Sequence, residues 1–219
     1  MFIAIVPAHN EERTIDSVIR NLGAYVDRVV VVDDGSTDNT AKVGVAAGAV
    51  VLSHWINRGQ GAALETGHAY ARSQGADAVV HFDADGQFEA ADIPGALSTM
   101  LENNADIVFG SRFLDHRSEL PWSKRNILLP AARIVNQIIT GLSLTDAHNG
   151  FRLLNRRALY AVALSHDRMA HASEIPLLVK RHGLRYIEYP VKVVYREYGQ
   201  AVAGGFQILK DLVLGKLAK

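Results

Sequence analysis

The sequence predicts an α/β fold, a mostly parallel central sheet flanked by helices, and three observations carry that reading. Short apolar runs recur at 2–6, 29–32, 50–53, 79–82 and 106–110. Segments with apolar residues at helical spacing alternate with them, as in Ile15, Val18, Ile19 and Leu22, and strands alternating with helices at this pitch build parallel sheets covered on both faces. Polar loops follow the runs, so they gather on one edge of the sheet, the edge where open α/β sheets bind ligands.

Taken in order, Phe2–Val6 is a buried strand, Pro7-Ala8-His9-Asn10-Glu11-Glu12 a loop, and a helix follows. A second strand, 29–32, leads into Asp33-Asp34-Gly35-Ser36-Thr37-Asp38-Asn39-Thr40, a turn rich in helix N-cap residues. After a third strand, 50–53, the stretch Asn57-Arg58-Gly59-Gln60-Gly61 opens a helix running to about Ser73. The fourth strand, from Val79, ends in Asp83-Ala84-Asp85-Gly86-Gln87; a helix over 92–103 and a fifth strand, 106–110, lead to Ser111-Arg112. Beyond Arg112 the rhythm stops. Residues 123–141 read as an amphipathic helix broken by Pro130, and 152–155 as a short strand before a helix from Arg157. His171-Ala172-Ser173-Glu174 precedes or opens a further helix, and 185–195 is a strand placed at an edge by Pro190.

Composition narrows the classes. The 219 residues are 48% hydrophobic and 21% charged, values ordinary for a soluble globular protein, and suffice for a single domain. There is no cysteine, so disulfides and thiolate metal sites are excluded and a reducing, cytoplasmic compartment is expected. The first residues lack the basic start of a signal peptide, and no run of 18 apolar residues exists to span a membrane. The net charge of zero hides a split: residues 1–109 carry 6 lysines and arginines against 15 acids, residues 110–219 carry 17 against 8. An acidic half suits a cation; a basic half suits phosphates or an anionic surface, and no nucleic-acid partner is implied.

The chemistry points to the fourth strand. A strand that delivers Asp83 and Asp85 to its carboxyl tip offers two hard oxygen donors, the set that holds Mg²⁺ together with substrate phosphate oxygens. An EF-hand is excluded, because counting from Asp83 puts Phe88 at the turn glycine and Pro94 at the bidentate glutamate. A dinucleotide fold requires a glycine fingerprint in the first strand-to-helix turn, where this chain has two acids and no glycine. No G-x-S-x-G is present for a serine hydrolase. His54, His68 and His182 show no metal-ligand spacing and read as surface or core residues; Trp55 and Trp122 read as packing residues.

Taken together, residues 7–12, 31–36, 57–59, 83–87, 110–112, 146–152 and Arg196-x-x-Gly199 resemble the inverting GT-A glycosyltransferases of family 2, in particular the polyprenyl-phosphate (dolichyl-phosphate) mannose and glucose synthases. The motifs fall in order along nearly the whole chain. The resemblance implies a GT-A fold, with 1–112 as the nucleotide and metal half, 113–203 as the acceptor half and 204–219 as a terminal helix. It puts Pro7, Ala8, Asn10, Glu11, Asp33, Asp34, Arg58, Asp83 and Ala84 on the nucleotide-sugar, and Mg²⁺ or Mn²⁺ on Asp83, Asp85 and Gln87. It puts Arg112, Asn149, Arg152 and Arg196 on the acceptor phosphate, with Asp85 and Arg112 central to catalysis. Many members carry lysine where Gln60 stands, serine where Asn149 stands, and serine-lysine where Gln200-Ala201 stand.

The implied reaction moves a hexose from a nucleotide diphosphate to a polyprenyl phosphate with inversion. An acceptor phosphate is already ionised at neutral pH and needs no strong base. A soluble family 2 enzyme acting on a hydroxyl would need one, and His171 or Glu174 would then matter; a nucleotide-binding pseudoenzyme partner is the third reading. His171 and Glu174 either line the acceptor site or form a buried capping pair. In the tail, Phe206, Leu209, Val213 and Leu217 fall on one helical face beside Lys210, Lys216 and Lys219, which fits a peripheral foot at the cytoplasmic face of a membrane, or packing on the core or a partner subunit. A small membrane-protein subunit and a homo-oligomer are both compatible partners.

Overall fold

The computed structural model describes residues 1–115, 137, 140–165 and 171–194. The expected helix 123–141, Trp122, Arg196, Gln200-Ala201 and the tail 204–219 lie outside the described residues, apart from 137, 140 and 141.

The chain order is β1 (Phe2–Ala8), α1 (Ile15–Leu22), β2 (Arg28–Asp33), α2 (Thr40–Ala46), β3 (Val50–Ser53), α3 (Gln60–Ser73), β4 (Ala78–His81), a 3₁₀ turn (Ala90–Asp92), α4 (Ile93–Glu102), β5 (Ile107–Ser111), β6 (Arg152–Asn155), α5 (Arg156–Ala161), α6 (His171–Arg181) and β7 (Tyr186–Pro190). Seven strands form one sheet in the order β3-β2-β1-β4-β6-β5-β7. All pairings are parallel except those of β6, which runs antiparallel between β4 and β5.

Alternation along each strand splits the core in two, because successive side chains face opposite sides of a sheet. Ala4, Val6, Val31, Val80 and Val108 face α1 and α4, whose Ile15, Val18, Ile19, Ile93 and Met100 close that side. Ile3, Ile5, Val30, Val32, Val79 and Phe109 face α3, α5 and α6, through Leu64, Leu159, Ile175 and Val179. Near-continuous apolar strands are what a sheet buried on both faces requires.

Several boundaries differ from the sequence reading, and four of them have a tertiary setting. β1 runs on through Pro7 to Ala8; β4 pairs only as far as Ile5, so Pro7 is flanked by β2 alone, where a strand tolerates proline. α3 starts at Gln60, not Asn57, because the Arg58 and Gly59 N–H groups are claimed by the Asp34 carboxylate. Asp92 caps nothing with its side chain; buried, it accepts the Lys192 N–H at 2.8 Å. β7 stops at Pro190, on the sheet edge, and the chain turns back toward the β4 loop, where Val194 N–H donates to Gln87 O at 2.9 Å.

Candidate active site

The loops leaving β1, β2, β3 and β4 meet at the carboxyl edge, and side chains knit them together. Asn10, in the left-handed region at φ 58°, donates its N–H to Ser36 Oγ at 2.9 Å and accepts the Thr37 N–H on Oδ1 at 2.8 Å. Glu11 N–H donates to Thr40 Oγ1 at 2.8 Å, while its carboxylate accepts from Thr14 Oγ1 at 2.7 Å. Ala8 O accepts the Asp34 N–H at 2.8 Å, and buried Asp33 accepts the Ser36 N–H at 3.3 Å.

Asp34, 3% exposed, is the hub. Its Oδ1 accepts from His54 Nδ1 at 2.7 Å and Arg58 N–H at 2.9 Å, and its Oδ2 from Gly59 N–H at 2.6 Å. Burial pushes the carboxyl upward, but the bonds from Arg58, His54 and Gly59 outweigh it and hold Asp34 below the usual range. Gly35, at φ 68°, lets the two loops touch: a Cβ there would lie 2.7 Å from Asn57 N. The same clamp turns His54 inward and leaves Trp55, expected to pack, 98% exposed.

Beyond β4 the carboxylates Asp83 and Asp85 share one turn. Gln60 Nε2, from the first residue of α3, donates to Asp83 Oδ1 at 3.0 Å, and Gln87 N–H donates to Asp85 Oδ1 at 2.9 Å. Burial first, and the charge of Asp85 second, push Asp83 from 3.8 up to about 6, against the pull of Arg152, Gln60 and Arg112. A bound cation would outweigh that like-charge repulsion and favour both ionised carboxylates. Among the described residues no three His, Cys, Asp or Glu side chains converge. Two carboxylates therefore make up the acidic donor set, which fits a hard divalent ion that takes its other oxygens from a diphosphate and water.

Opposite them, Arg112 follows β5 and grips Asp146 with a fork, Nε to Oδ2 at 2.7 Å and Nη2 to Oδ1 at 2.8 Å. Arg112 N–H and Asn149 Nδ2 also donate to Asp146 Oδ2, at 3.1 and 3.0 Å. Glu188 on β7 accepts from Thr145 N–H and Oγ1, both at 2.7 Å, which pins the 145–149 loop to the sheet edge. Burial lifts Asp146, but the Arg112 hydrogen bonds and charge outweigh it and leave the carboxyl below its usual range.

Residues 3–162 match glycosyl transferase family 2. The chain belongs to that family. It is 31% identical to a UDP-N-acetylglucosamine–dolichyl-phosphate N-acetylglucosaminyltransferase of Methanococcus voltae, over 98% of this chain and 96% of the relative. It is 29% identical to an undecaprenyl-phosphate mannosyltransferase of Micrococcus luteus, over 93% and 87%. In fold it is similar to a glucosyl-3-phosphoglycerate synthase of Mycobacterium tuberculosis solved with Mn²⁺ and UDP, with a TM-score of 0.69 at 21% identity, covering 97% of this chain and 77% of that one. The architecture is the GT-A fold of family 2 glycosyltransferases.

Against the family's motifs, the structure gathers Pro7, Ala8, Asn10, Glu11, Asp33, Asp34, Arg58, Asp83, Ala84, Asp85 and Gln87 on one edge, at the carboxyl ends of β1 and β2 and on the loops after β1 to β4. Arg112 and Asn149 meet on Asp146. Arg152 departs from expectation. It is 1% exposed; among the described residues its Nε has no hydrogen-bond partner and its Nη2 donates to Ala147 O at 3.5 Å. Burial lowers it to about 10 while the charges of Asp83 and Asp146 pull it up, and at 1% exposure it offers almost no surface to an acceptor phosphate. His171 and Glu174 are buried in the first turn of α6, and Glu174 Oε1 accepts the Ser165 N–H at 2.9 Å.

The sequence reading passed over His54, Thr66, Asp146 and Glu188 as site residues. Asp146 lies within the 146–152 motif, but its partner Arg112 is 34 residues away in the chain, and nothing local marked that pairing, Thr66 or Glu188. Gly150 lies directly against the Asp83 carboxylate. A Cβ there would lie 2.3 Å from Asp83 Oδ2, so Gly150→Ala is expected to displace that carboxylate and weaken Mn²⁺ binding in a calorimetric titration. Parent-like affinity would show that Asp83 has room to move.

Proposed function

We propose that the protein transfers a hexose from a nucleotide diphosphate to a polyprenyl phosphate, with inversion at the anomeric carbon. The observation that supports this most is the pair of relatives named for dolichyl- and undecaprenyl-phosphate transfer, each aligned over more than nine-tenths of this chain. In this reading Asn10, Glu11, Asp33, Asp34 and Arg58 form the nucleotide wall, and Asp83 with Asp85 and Gln87 hold Mg²⁺ or Mn²⁺. When bound, that ion supplies Lewis-acid charge for the departing diphosphate. Residues 113–203 supply the acceptor half, whose Asn149 and Arg196 address the lipid phosphate together with Arg112 at the end of the first half. Arg112 suits this work because a planar fork held on one side by Asp146 keeps a fixed orientation toward a phosphate.

No base has to be found for such an acceptor, so catalysis falls to positioning and charge. The arrangement of Glu174 agrees: its carboxylate is turned to Ser165, which leaves it poorly placed to activate a hydroxyl. Among the described residues no helix is long and apolar enough to cross a membrane, so contact with the lipid is proposed to be peripheral.

The test is a screen of purified protein with UDP- and GDP-hexoses against polyprenyl phosphate and against soluble hydroxyl acceptors, with Mn²⁺ or Mg²⁺ present. Product on the lipid phosphate alone is expected. Transfer only to hydroxyl acceptors would reject the reading, and nucleotide binding without any transfer would mark a pseudoenzyme.

A further inference from the structure

We infer that His54, buttressed by Thr66, is a positioning residue for the donor half of the cleft: it aims the last open acceptor position of Asp34 at the nucleotide. The inference rests on the reading of this edge as a nucleotide-sugar site.

An ionised carboxylate offers about four acceptor positions. Among the described residues three on Asp34 are taken, two on Oδ1 by His54 Nδ1 and Arg58 N–H and one on Oδ2 by Gly59 N–H. One position remains, on Oδ2, for a base N–H or a ribose hydroxyl. Two backbone donors from adjacent residues leave the carboxylate free to rock between them; a third donor from a different direction removes that freedom. His54 is that third donor. Its Nδ1 faces an acceptor-only carboxylate and so carries the proton, and its Nε2 lies 2.9 Å from Thr66 Oγ1 on α3. The imidazole is thus held at both ends, between β2 and a helix packed on the sheet. Its neighbour Trp55 is 98% exposed and contributes no such anchor, so the ordering of the β3–α3 loop falls to His54 and the Asp34 clamp.

Two amides separate this role from simple packing. Asparagine places its side-chain NH₂ where Nδ1 stands, keeping the Asp34 bond; glutamine places it where Nε2 stands, keeping only the Thr66 bond. Nucleotide affinity is measured by calorimetry with UDP and GDP, together with donor KM, lipid-phosphate KM, kcat and hydrogen exchange at the Arg58 and Gly59 amides. His54→Gln and His54→Ala are expected to weaken nucleotide binding and raise donor KM about tenfold, the scale of one hydrogen bond to a charged group. Acceptor KM and kcat stay as in the parent, and exchange at Arg58 and Gly59 quickens. His54→Asn stays close to the parent throughout. Indistinguishable behaviour of the two amides sinks the positioning role while leaving the nucleotide site standing. If the parent itself binds neither UDP nor GDP, the nucleotide reading fails, and this inference with it.

Discussion

Asp85→Asn is expected to abolish transfer, by roughly a thousandfold or more, with little change in thermal stability. The cation's charge on a departing diphosphate is worth several kcal/mol, and each 1.36 kcal/mol is about tenfold in rate. Asp85 itself is partly exposed on a turn, where substitution seldom moves stability far. Asp83→Asn should be as damaging to transfer yet gain stability in the metal-free protein, because Gln60 can still donate to the remaining carbonyl oxygen while a partly buried charge beside Asp85 is gone. The sign follows from the carboxyl sitting at about 6 in the folded chain against 3.8 ordinarily. Its contribution to stability is full below the lower value and is lost as pH rises through the higher one. In chelator, the melting temperature of Asp83→Asn should therefore pull ahead of the parent between about pH 4 and pH 7. Parallel pH profiles would show that the Asp83 carboxyl is not raised by burial and Asp85, and full activity of Asp85→Asn in excess chelator would remove the metal from the mechanism.

The parts of this molecule that were legible in the sequence are those written in local patterns. Apolar runs such as Val29–Val32 are buried on both faces wherever they sit, so they announce strands without further context. The Asp83-x-Asp85 pair at a strand tip likewise carries its chemistry in its spacing. What was not legible depends on neighbours distant in the chain. β6 inserts antiparallel between β4 and β5, and that insertion places Arg152 opposite His81 and Phe109, sealed from solvent. Read alone, an arginine after Gly150-Phe151 looks like one more phosphate ligand. Asp34 was read as a nucleotide contact because its loop is acidic; most of its hydrogen-bonding capacity goes to a loop 20 to 25 residues away. His54 reads in the sequence as a surface or core residue for the same reason, since its two partners, Asp34 and Thr66, lie on other elements.

Arg112 poses the harder experiment, because its fork onto Asp146 is both a structural tie and the proposed support for the acceptor phosphate. The Asp146 side chain is 3% exposed and that of Arg112 27%, so Arg112→Ala leaves a buried carboxylate without its counter-charge. Breaking a buried pair in this way costs about 3–5 kcal/mol of stability, and lost activity alone would say nothing about the phosphate. The double variant Arg112→Ala/Asp146→Asn removes the stranded charge while an amide oxygen still accepts from Asn149 and the residue 112 N–H, so most of the melting temperature should return. Transfer should not return, remaining roughly tenfold to a hundredfold or more below the parent, the worth of a charge-assisted contact to phosphate. Nucleotide affinity should match the parent in both variants, since the donor wall lies on the loops of β1 to β4. If transfer recovers together with stability in the double variant, Arg112 only braces the 145–149 loop, and the acceptor phosphate is held by other residues of the basic half.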